Sequence, residues 1–302
     1  MILRWALHFA SGNSLFSGVL VLLVVGAITT TFTGSRRYER TSRLAVIIAV
    51  ALIALSATPL PWWVYAIWAA ILVVWMWAVR HVSPAELRTL TRARVAGGVL
   101  MWISVVIAGI EFRTLSAYIP IGDHKTIYVI GDSITAGLNE DDLLWPTILA
   151  DTNGVDVINL AQPGAMADSA MKQAQEIPGD AGGIVLIEIG GNDLLSGRSA
   201  EAYGADLEKL LDVVSAPNRT LVMMELPLAP FKNKYGRIQR ELARAYDVVL
   251  ISKREFARVL GLADGTLDGI HLSEHGQRLM AAIVWQYVAP LYEMPRPEVV
   301  EK

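Results

Sequence analysis

The sequence predicts two regions of different class: an all-α four-helix transmembrane region, then an α/β domain built as a three-layer αβα sandwich on a parallel five-stranded sheet. Three observations predict this. Four apolar stretches of 16–18 residues crowd into the first 110 positions. The charge divides sharply: residues 1–125 hold 11 Lys+Arg and 4 Asp+Glu (net +7), and residues 126–302 hold 15 and 25 (net −10). Beyond residue 126, short runs rich in β-branched residues alternate with longer amphipathic ones, the pattern of strands joined by helical crossovers. The chain average conceals the division, because 302 residues at 53% hydrophobic and 18% charged, with mean hydropathy +0.42, read as one mildly apolar protein of net charge −3. That composition excludes intrinsic disorder. The absence of cysteine excludes a disulfide scaffold and any Cys-ligated zinc or iron–sulfur site.

The apolar stretches are Leu15–Phe32, Leu44–Leu60, Trp62–Val79 and Val95–Ile110. Each lies near the lower limit of about 17–25 residues that cross a bilayer as a helix. Pro59 and Pro61 separate the second from the third and leave room only for a tight hairpin. Trp62, Trp63 and Tyr65 then stand where an interfacial aromatic belt is expected, and seven of the nine Trp fall in this half. A buried helical core is the alternative for any one stretch. Four in succession with no Asp, Glu, Lys or Arg inside them favour membrane insertion as an anchor, with no ion or proton pathway. Arg36, Arg37, Arg40 and Arg43 follow the first stretch, and Arg80, Arg88, Arg92 and Arg94 follow the third. The positive-inside rule places both groups in the cytoplasm, and hence the N-terminus and everything after residue 126 outside it. A cleaved signal peptide is disfavoured because the Arg cluster follows the first apolar run.

The second region is read as strands at Ile127–Ile130, Val155–Leu160, Ile184–Ile189, Thr220–Glu225 and Val248–Ile251. Helices are expected near 141–152, 168–177, 199–215, 233–246, 253–260 and 273–289. The organisation expected is therefore 1–110 transmembrane, 111–125 linker, 126–292 catalytic-type domain and 293–302 tail. In an open parallel sheet, sites lie beyond the carboxyl ends of the strands. Those ends carry Gly131-Asp132-Ser133, Ala161–Ala165 with Gly164, Gly190–Asp193, and the 264–272 loop.

A serine hydroxyl becomes a nucleophile when a base takes its proton, and the base needs an orienting group. His271 and His275 are the only histidines after residue 126, and Asp268 precedes His271 by three residues. A D-x-x-H loop can turn the carboxylate onto one ring nitrogen and leave the other facing Ser133. The Ser133 amide, the Gly164 amide and the Asn192 carboxamide are candidate donors to a developing oxyanion. Structural readings compete for each residue taken singly: Ser133 as a helix N-cap, Gly164 as turn chemistry after Pro163, and Asn192 as a cap. Asp132 is assigned a supporting role, and Asp193 is expected to hold the first and third loops together. His271-Leu272-Ser273-Glu274-His275 also matches H-x-x-E-H, but Ser273 reads as the N-cap of the last helix. That leaves His271 off the helix, so no metal is expected.

Gly131-Asp132-Ser133, Gly164, the Gly190-Gly191-Asn192-Asp193 block and Asp268-Gly269-Ile270-His271, in this order, resemble the four signature blocks of the SGNH (GDSL) hydrolases. The likeness is greatest to the bacterial thioesterase/lysophospholipase/arylesterase branch. Trp145-Pro146 and the Glu188–Asp193 run are similar to that branch too, and the resemblance spans residues 126–292. It implies a flavodoxin-like sheet and a Ser133–His271–Asp268 triad. It likewise implies an oxyanion hole of Ser133, Gly164 and Asn192, with no cofactor. Leu272 departs from it, since many relatives carry Pro after the histidine.

The function expected is a membrane-anchored serine esterase working through an acyl-serine outside the cytoplasm, on a bacterial inner membrane. Its substrate would be a small-molecule, lipid or glycan acyl ester. An acyltransferase or glycan deacetylase with the same site is the alternative, and a non-catalytic envelope assembly protein is the second. Leu138, Leu143, Leu194, Leu195, Leu228 and Phe231 are candidates to line an apolar acyl pocket. Arg198 and Lys232 are candidates to meet an anion. A domain of charge −10 without a basic stripe excludes nucleic acid as a partner.

Overall fold

The structure, a computed structural model, describes residues 2–31, 36–81, 87–115, 119–120, 122–139 and 141–292. The expected tail, 293–302, lies outside the described residues. Contacts divide the chain into two units, Met1–Ser116 with Leu228–Arg237, and Ala117–Pro227 with Ile238–Lys302.

The first unit is helical among its described residues: α1 (Ile2–Ala10), α2 (Asn13–Thr31), α3 (Arg36–Ala54), α4 (Trp62–Arg80) and α5 (Leu87–Leu115). α1 has no counterpart among the four apolar stretches. The helices share a core of Leu15, Val19, Leu22 and Val25 from α2, Ala49 and Ile53 from α3, Trp68, Leu72 and Trp75 from α4, and Leu100 and Ile107 from α5. On α2 those residues follow the i, i+4, i+7, i+10 spacing of one helical face. Gly18 permits the close approach of α3, since a Cβ there would meet Ile53 Cγ1 at 2.7 Å and the Ala49 carbonyl at 2.8 Å.

The faces turned away from that core are also apolar. Leu20, Ile47, Ile67, Val74, Trp77, Val95, Trp102 and Phe112 are all exposed. Among the described residues two helices, Trp62–Arg80 and Thr91–Arg113, are long and apolar enough to cross a membrane. The apolar part of α3, Leu44–Ala54, is shorter. α5 also runs past the expected end at Ile110, so buried Glu111 belongs to this helix.

Residues 228–237 join this unit. Leu228 N donates to the Ala10 carbonyl (3.1 Å), Asn233 Nδ2 to the Ser56 carbonyl (3.2 Å) and Arg237 Nη1 to the Leu60 carbonyl (3.2 Å). Leu228 and Phe231 thus cluster with the helices rather than with the sheet, and Phe231 is exposed at φ 67°.

The second unit is a parallel sheet with flanking helices. Its strands are β1 (Thr126–Gly131), β2 (Asp156–Asn159), β3 (Gly183–Glu188), β4 (Arg219–Met224) and β5 (Val249–Ile251), in spatial order β2-β1-β3-β4-β5. This is the flavodoxin-like order, and every pairing is parallel. The helices are α6 (Ser133–Ala136), α7 (Trp145–Asn153), α8 (Ala170–Gln175), α9 (Gly191–Leu195), α10 (Ala200–Val214), α11 (Asn233–Ala245), α12 (Lys253–Leu260) and α13 (Glu274–Val288). β1 and β3 are apolar on both faces, as strands covered on both sides must be, and Ile127, Val129, Ile184 and Leu186 are fully buried. β2 is an edge strand and largely exposed. In register, Gly131 at the end of β1 lies beside Glu188 at the end of β3, which brings the first and third loops together.

Candidate active site

The first loop begins where β1 ends. Asp132 is the N-cap of α6, its Oδ1 accepting from Ile134 N at 2.9 Å. Capping therefore falls to Asp132 rather than to Ser133. Ser133 is the first residue of the short helix, and its hydroxyl is left available for other chemistry.

That hydroxyl meets His271. Ser133 Oγ lies 3.1 Å from His271 Nε2, and His271 Nδ1 lies 2.7 Å from Asp268 Oδ2. The D-x-x-H spacing works through a local turn, in which Asp268 Oδ1 accepts the amides of Ile270 (3.0 Å) and His271 (2.9 Å). The His271 contact first, and then these amides, hold the Asp268 carboxyl well below the usual carboxylate range. An ionised Asp268 fixes the imidazole with N–H on Nδ1 and a lone pair on Nε2, directed at the serine. Ser273 caps α13, accepting from Gly276 N at 3.1 Å, so His271 precedes the helix while His275 rides on it. The two histidines of the H-x-x-E-H pattern therefore do not share a helical face.

The second loop is tied to the first by Gln162 N donating to the Gly131 carbonyl at 3.1 Å. Gly164 has φ +76°, a left-handed conformation that a side chain would strain. Among the described residues neither the Ser133 amide nor the Gly164 amide has a protein partner.

The third loop supplies Asn192, on α9 behind a Gly190 N-cap. Asn192 Nδ2 donates to Asp132 Oδ2 (3.2 Å) and to the Ala165 carbonyl (3.0 Å). Both hydrogens of this carboxamide are thus engaged, and one must be released before it can meet an oxyanion. Asp193 makes a further contact. Its Oδ2 accepts from Ala167 N at 3.0 Å, which ties the third loop to the second, while Asn192 bonds Asp132 of the first. Burial raises the Asp193 carboxyl above its ordinary value.

Arg198 departs from expectation. Its guanidinium bonds Asp168 (2.8 Å) and Asp206, with Asp193 3.8 Å away, so its charge is neutralised rather than presented to a substrate anion. Leu138, Leu143 and Leu195 are exposed on the first and third loops, and Leu267 and Ile270 are exposed beside His271.

A parallel αβα sheet with a Ser–His–Asp chain of contacts and two unpartnered amides at its carboxyl edge defines a hydrolase of the acyl-transfer class. Residues 129–279, half of the chain, match the GDSL-like Lipase/Acylhydrolase family, and the chain belongs to it as an ester-cleaving hydrolase. It is 26% identical over 184 residues to the "Thioesterase 1/protease 1/lysophospholipase L1" of Escherichia coli strain K12, covering 55% of this chain and 84% of that protein. It is 28% identical over 187 residues to the "Esterase TesA" of Pseudomonas aeruginosa, covering 55% and 89%. Among solved structures, a crystal structure of TesA aligns with TM-score 0.49 at 24% identity, over 55% of this chain and 99% of that one.

Sequence reasoning missed the residues beneath the first loop. Gln173 clamps Gly131 from α8, accepting its N–H (2.9 Å) and donating to its carbonyl (3.0 Å). Thr135 Oγ1 accepts from the Trp145 ring nitrogen (3.2 Å) and donates to Glu188 Oε2 (3.0 Å). The legible signal was Glu188 itself, a carboxylate closing the apolar run Gly183–Glu188 of a central strand.

Proposed function

We propose that this chain is a membrane-anchored serine hydrolase that cleaves an acyl ester or thioester outside the cytoplasm through an acyl-serine intermediate. The observation that carries the reading is the continuous contact Ser133 Oγ–His271 Nε2–Asp268 at 3.1 and 2.7 Å. Ser133 Oγ attacks the carbonyl carbon while His271 Nε2 takes the hydroxyl proton. The Ser133 and Gly164 amides and the Asn192 carboxamide receive the oxyanion. Collapse of the tetrahedral adduct passes the His271 proton to the departing alcohol or thiol and leaves acyl-Ser133. Water, deprotonated by His271, then releases the carboxylic acid and restores the serine. Asp268 stays ionised throughout and stabilises the imidazolium.

The exposed Leu138, Leu143, Leu195, Leu267 and Ile270 on the same loops support an apolar acyl group as the part of the substrate that is bound. The names of the two relatives, a thioesterase/lysophospholipase and an esterase, agree with that class. Anchoring rests on α4, on α5 and on the apolar outward faces of the first unit. The outside location rests on the Arg-rich segments that follow the first and third apolar stretches.

The test is turnover of p-nitrophenyl acetate and of a longer acyl ester by the full chain in detergent, alongside labelling by a fluorophosphonate. Ser133→Ala is expected to abolish labelling and to lower kcat by about 10³-fold or more. Undiminished turnover in that variant would remove Ser133 from the mechanism.

A further inference from the structure

Glu188 is 1% exposed at the end of β3, directly beside the residue that precedes the Asp132–Ser133 turn. Its Oε2 accepts from Thr135 Oγ1 (3.0 Å) and faces Asp132 N (3.4 Å). Its carboxyl group is also within hydrogen-bond reach of the Asp132 carboxyl group. Asp132 in turn uses both of its oxygens as acceptors, Oδ1 from Ile134 N and Oδ2 from Asn192 Nδ2. Two carboxyl groups in contact away from water cannot both be ionised, so a proton lies between them. The direction of donation follows from the partners: each Asp132 oxygen accepts an N–H, which favours its anion, and each keeps a second lone pair with which it can take the Glu188 O–H.

We propose that Glu188 is a positioning residue of this hydrolase: through a carboxyl–carboxylate hydrogen bond it fixes Asp132, and Asp132 fixes the Asn192 carboxamide for the oxyanion. The proposal rests on the serine-hydrolase reading of Ser133. The chain of contacts runs from the core to the site, Trp145 to Thr135 to Glu188 to Asp132 to Asn192. It also accounts for the engaged state of Asn192. When an oxyanion arrives, the carboxamide exchanges the Ala165 carbonyl for it and keeps Asp132 as its pivot.

Burial, and then the facing Asp132 carboxylate, push Glu188 well above the ordinary carboxylate range, and burial raises Asp132 as well. The other charged groups acting on the pair are His271, which favours the Asp132 anion, and Asp193, which opposes it. Loss of the shared proton at alkaline pH would place two negative charges side by side. They would push apart, and Asn192 would lose its pivot.

The experiment is kcat against pH, from roughly pH 5 to 10, for the full-length enzyme in detergent with p-nitrophenyl acetate. It compares wild type, Glu188→Ala and Glu188→Gln, each checked by fluorophosphonate labelling and a melting curve. Gln can donate its amide N–H to Asp132 and accept from Thr135, and it has no proton to lose. The wild type is expected to fall in kcat on the alkaline side. Glu188→Ala should lose about 10–100-fold in kcat at unchanged KM. Glu188→Gln should recover most of that loss near neutrality and lack the alkaline fall. Two results overturn the proposal while leaving the Ser133 reading intact: a Glu188→Gln variant that melts like wild type yet is as slow as Glu188→Ala, or an alkaline limb that is the same in Glu188→Gln or missing in wild type. A wild type that neither labels nor turns over overturns the Ser133 reading and this proposal together.

Discussion

Trp145 in the α/β unit is fully buried, its ring nitrogen donating to Thr135 and its backbone amide to Gln277. Trp102 on α5 is 66% exposed, and Val99, Val105 and Val106 nearby on the same helix are exposed with it. The polar side chains differ in the same sense. The α/β unit buries full charges against one another, as where Glu225 is held by Arg240 (2.6 Å) and Lys253 (3.8 Å). Burial acts against the ionised Glu225, but the two cations outweigh it and keep its carboxyl below the ordinary value. The buried polar groups described in the helical unit, Glu111 apart, are hydroxyls, as where the Trp68 ring nitrogen donates to Ser104 Oγ (3.0 Å) and Ser104 to the Leu100 carbonyl (2.8 Å). A domain in water segregates apolar from polar residues, whereas a helix bundle in lipid has no reason to hide its apolar side chains. On the proposed membrane anchoring, this difference in exposed side chains is what two different solvents would require of the two units.

The largest effect expected from this difference is on tryptophan. Trp145→Ala removes a fully buried ring and its hydrogen bond and should cost about 3–5 kcal/mol of stability, an expectation drawn from large-to-small core substitutions. Trp102→Ala removes a larger exposed surface and should cost within about 0.5 kcal/mol, as surface substitutions do. Melting of the two variants in the same detergent checks the contrast. Equal losses would mean that α5 packs its outer face against protein.

The α/β unit was legible because its signals are local. Short apolar runs rich in β-branched residues alternate with longer amphipathic ones from Thr126 onward, and all five strands fall within a residue or two of their expected positions. The Asp268–His271 pair needs only a turn of three residues, so its spacing alone disclosed it. Features that depend on partners distant in sequence stayed hidden. Arg198 reads as an anion binder in the sequence, but it is paired with Asp168, 30 residues earlier. Glu188 became meaningful only through the β1–β3 register that sets it under Asp132. Residues 228–232 follow β4 and 233–246 read as a helix, yet Leu228, Asn233 and Arg237 find partners in the carbonyls of Ala10, Ser56 and Leu60, more than 160 residues away. Four apolar stretches predict four spans, but apolar length alone could not foresee that α3 ends at Ala54, six residues short of Leu60.

A charge placed on the outward face of α5 tests the solvent directly. Val105 is 48% exposed near the middle of Thr91–Arg113. In water, Val105→Lys would change stability by no more than about 0.5 kcal/mol. In a bilayer, the same ammonium near the centre of a spanning helix costs about 2.5–3.5 kcal/mol. Insertion efficiency read from membrane-fractionated chain, with Leu138→Lys on the α/β unit as the matched exposed control, separates the two cases. Val105→Lys chain that fractionates and melts like wild type would remove the bilayer from this face.

A pH-dependent effect carries a sign that distinguishes the α/β unit from a simple apolar core. Glu188 keeps its proton in the folded enzyme, because burial and then Asp132 raise it well above its ordinary value of 4.5. The unfolded chain loses that proton near pH 4.5, so above it the native state binds one proton more than the unfolded state. Its contribution to stability is fully present below the unfolded value, and it is lost as pH rises toward the raised folded value. The slope for a single proton is about 1.4 kcal/mol per pH unit. Glu188→Gln has no such proton, so its stability relative to wild type should improve steadily as pH climbs from 5 toward neutrality. Urea unfolding of both proteins at matched pH, followed by Trp fluorescence, measures that divergence. Parallel curves would mean that Glu188 ionises in the folded state as freely as in the unfolded one, contrary to a shared proton at the Asp132 contact.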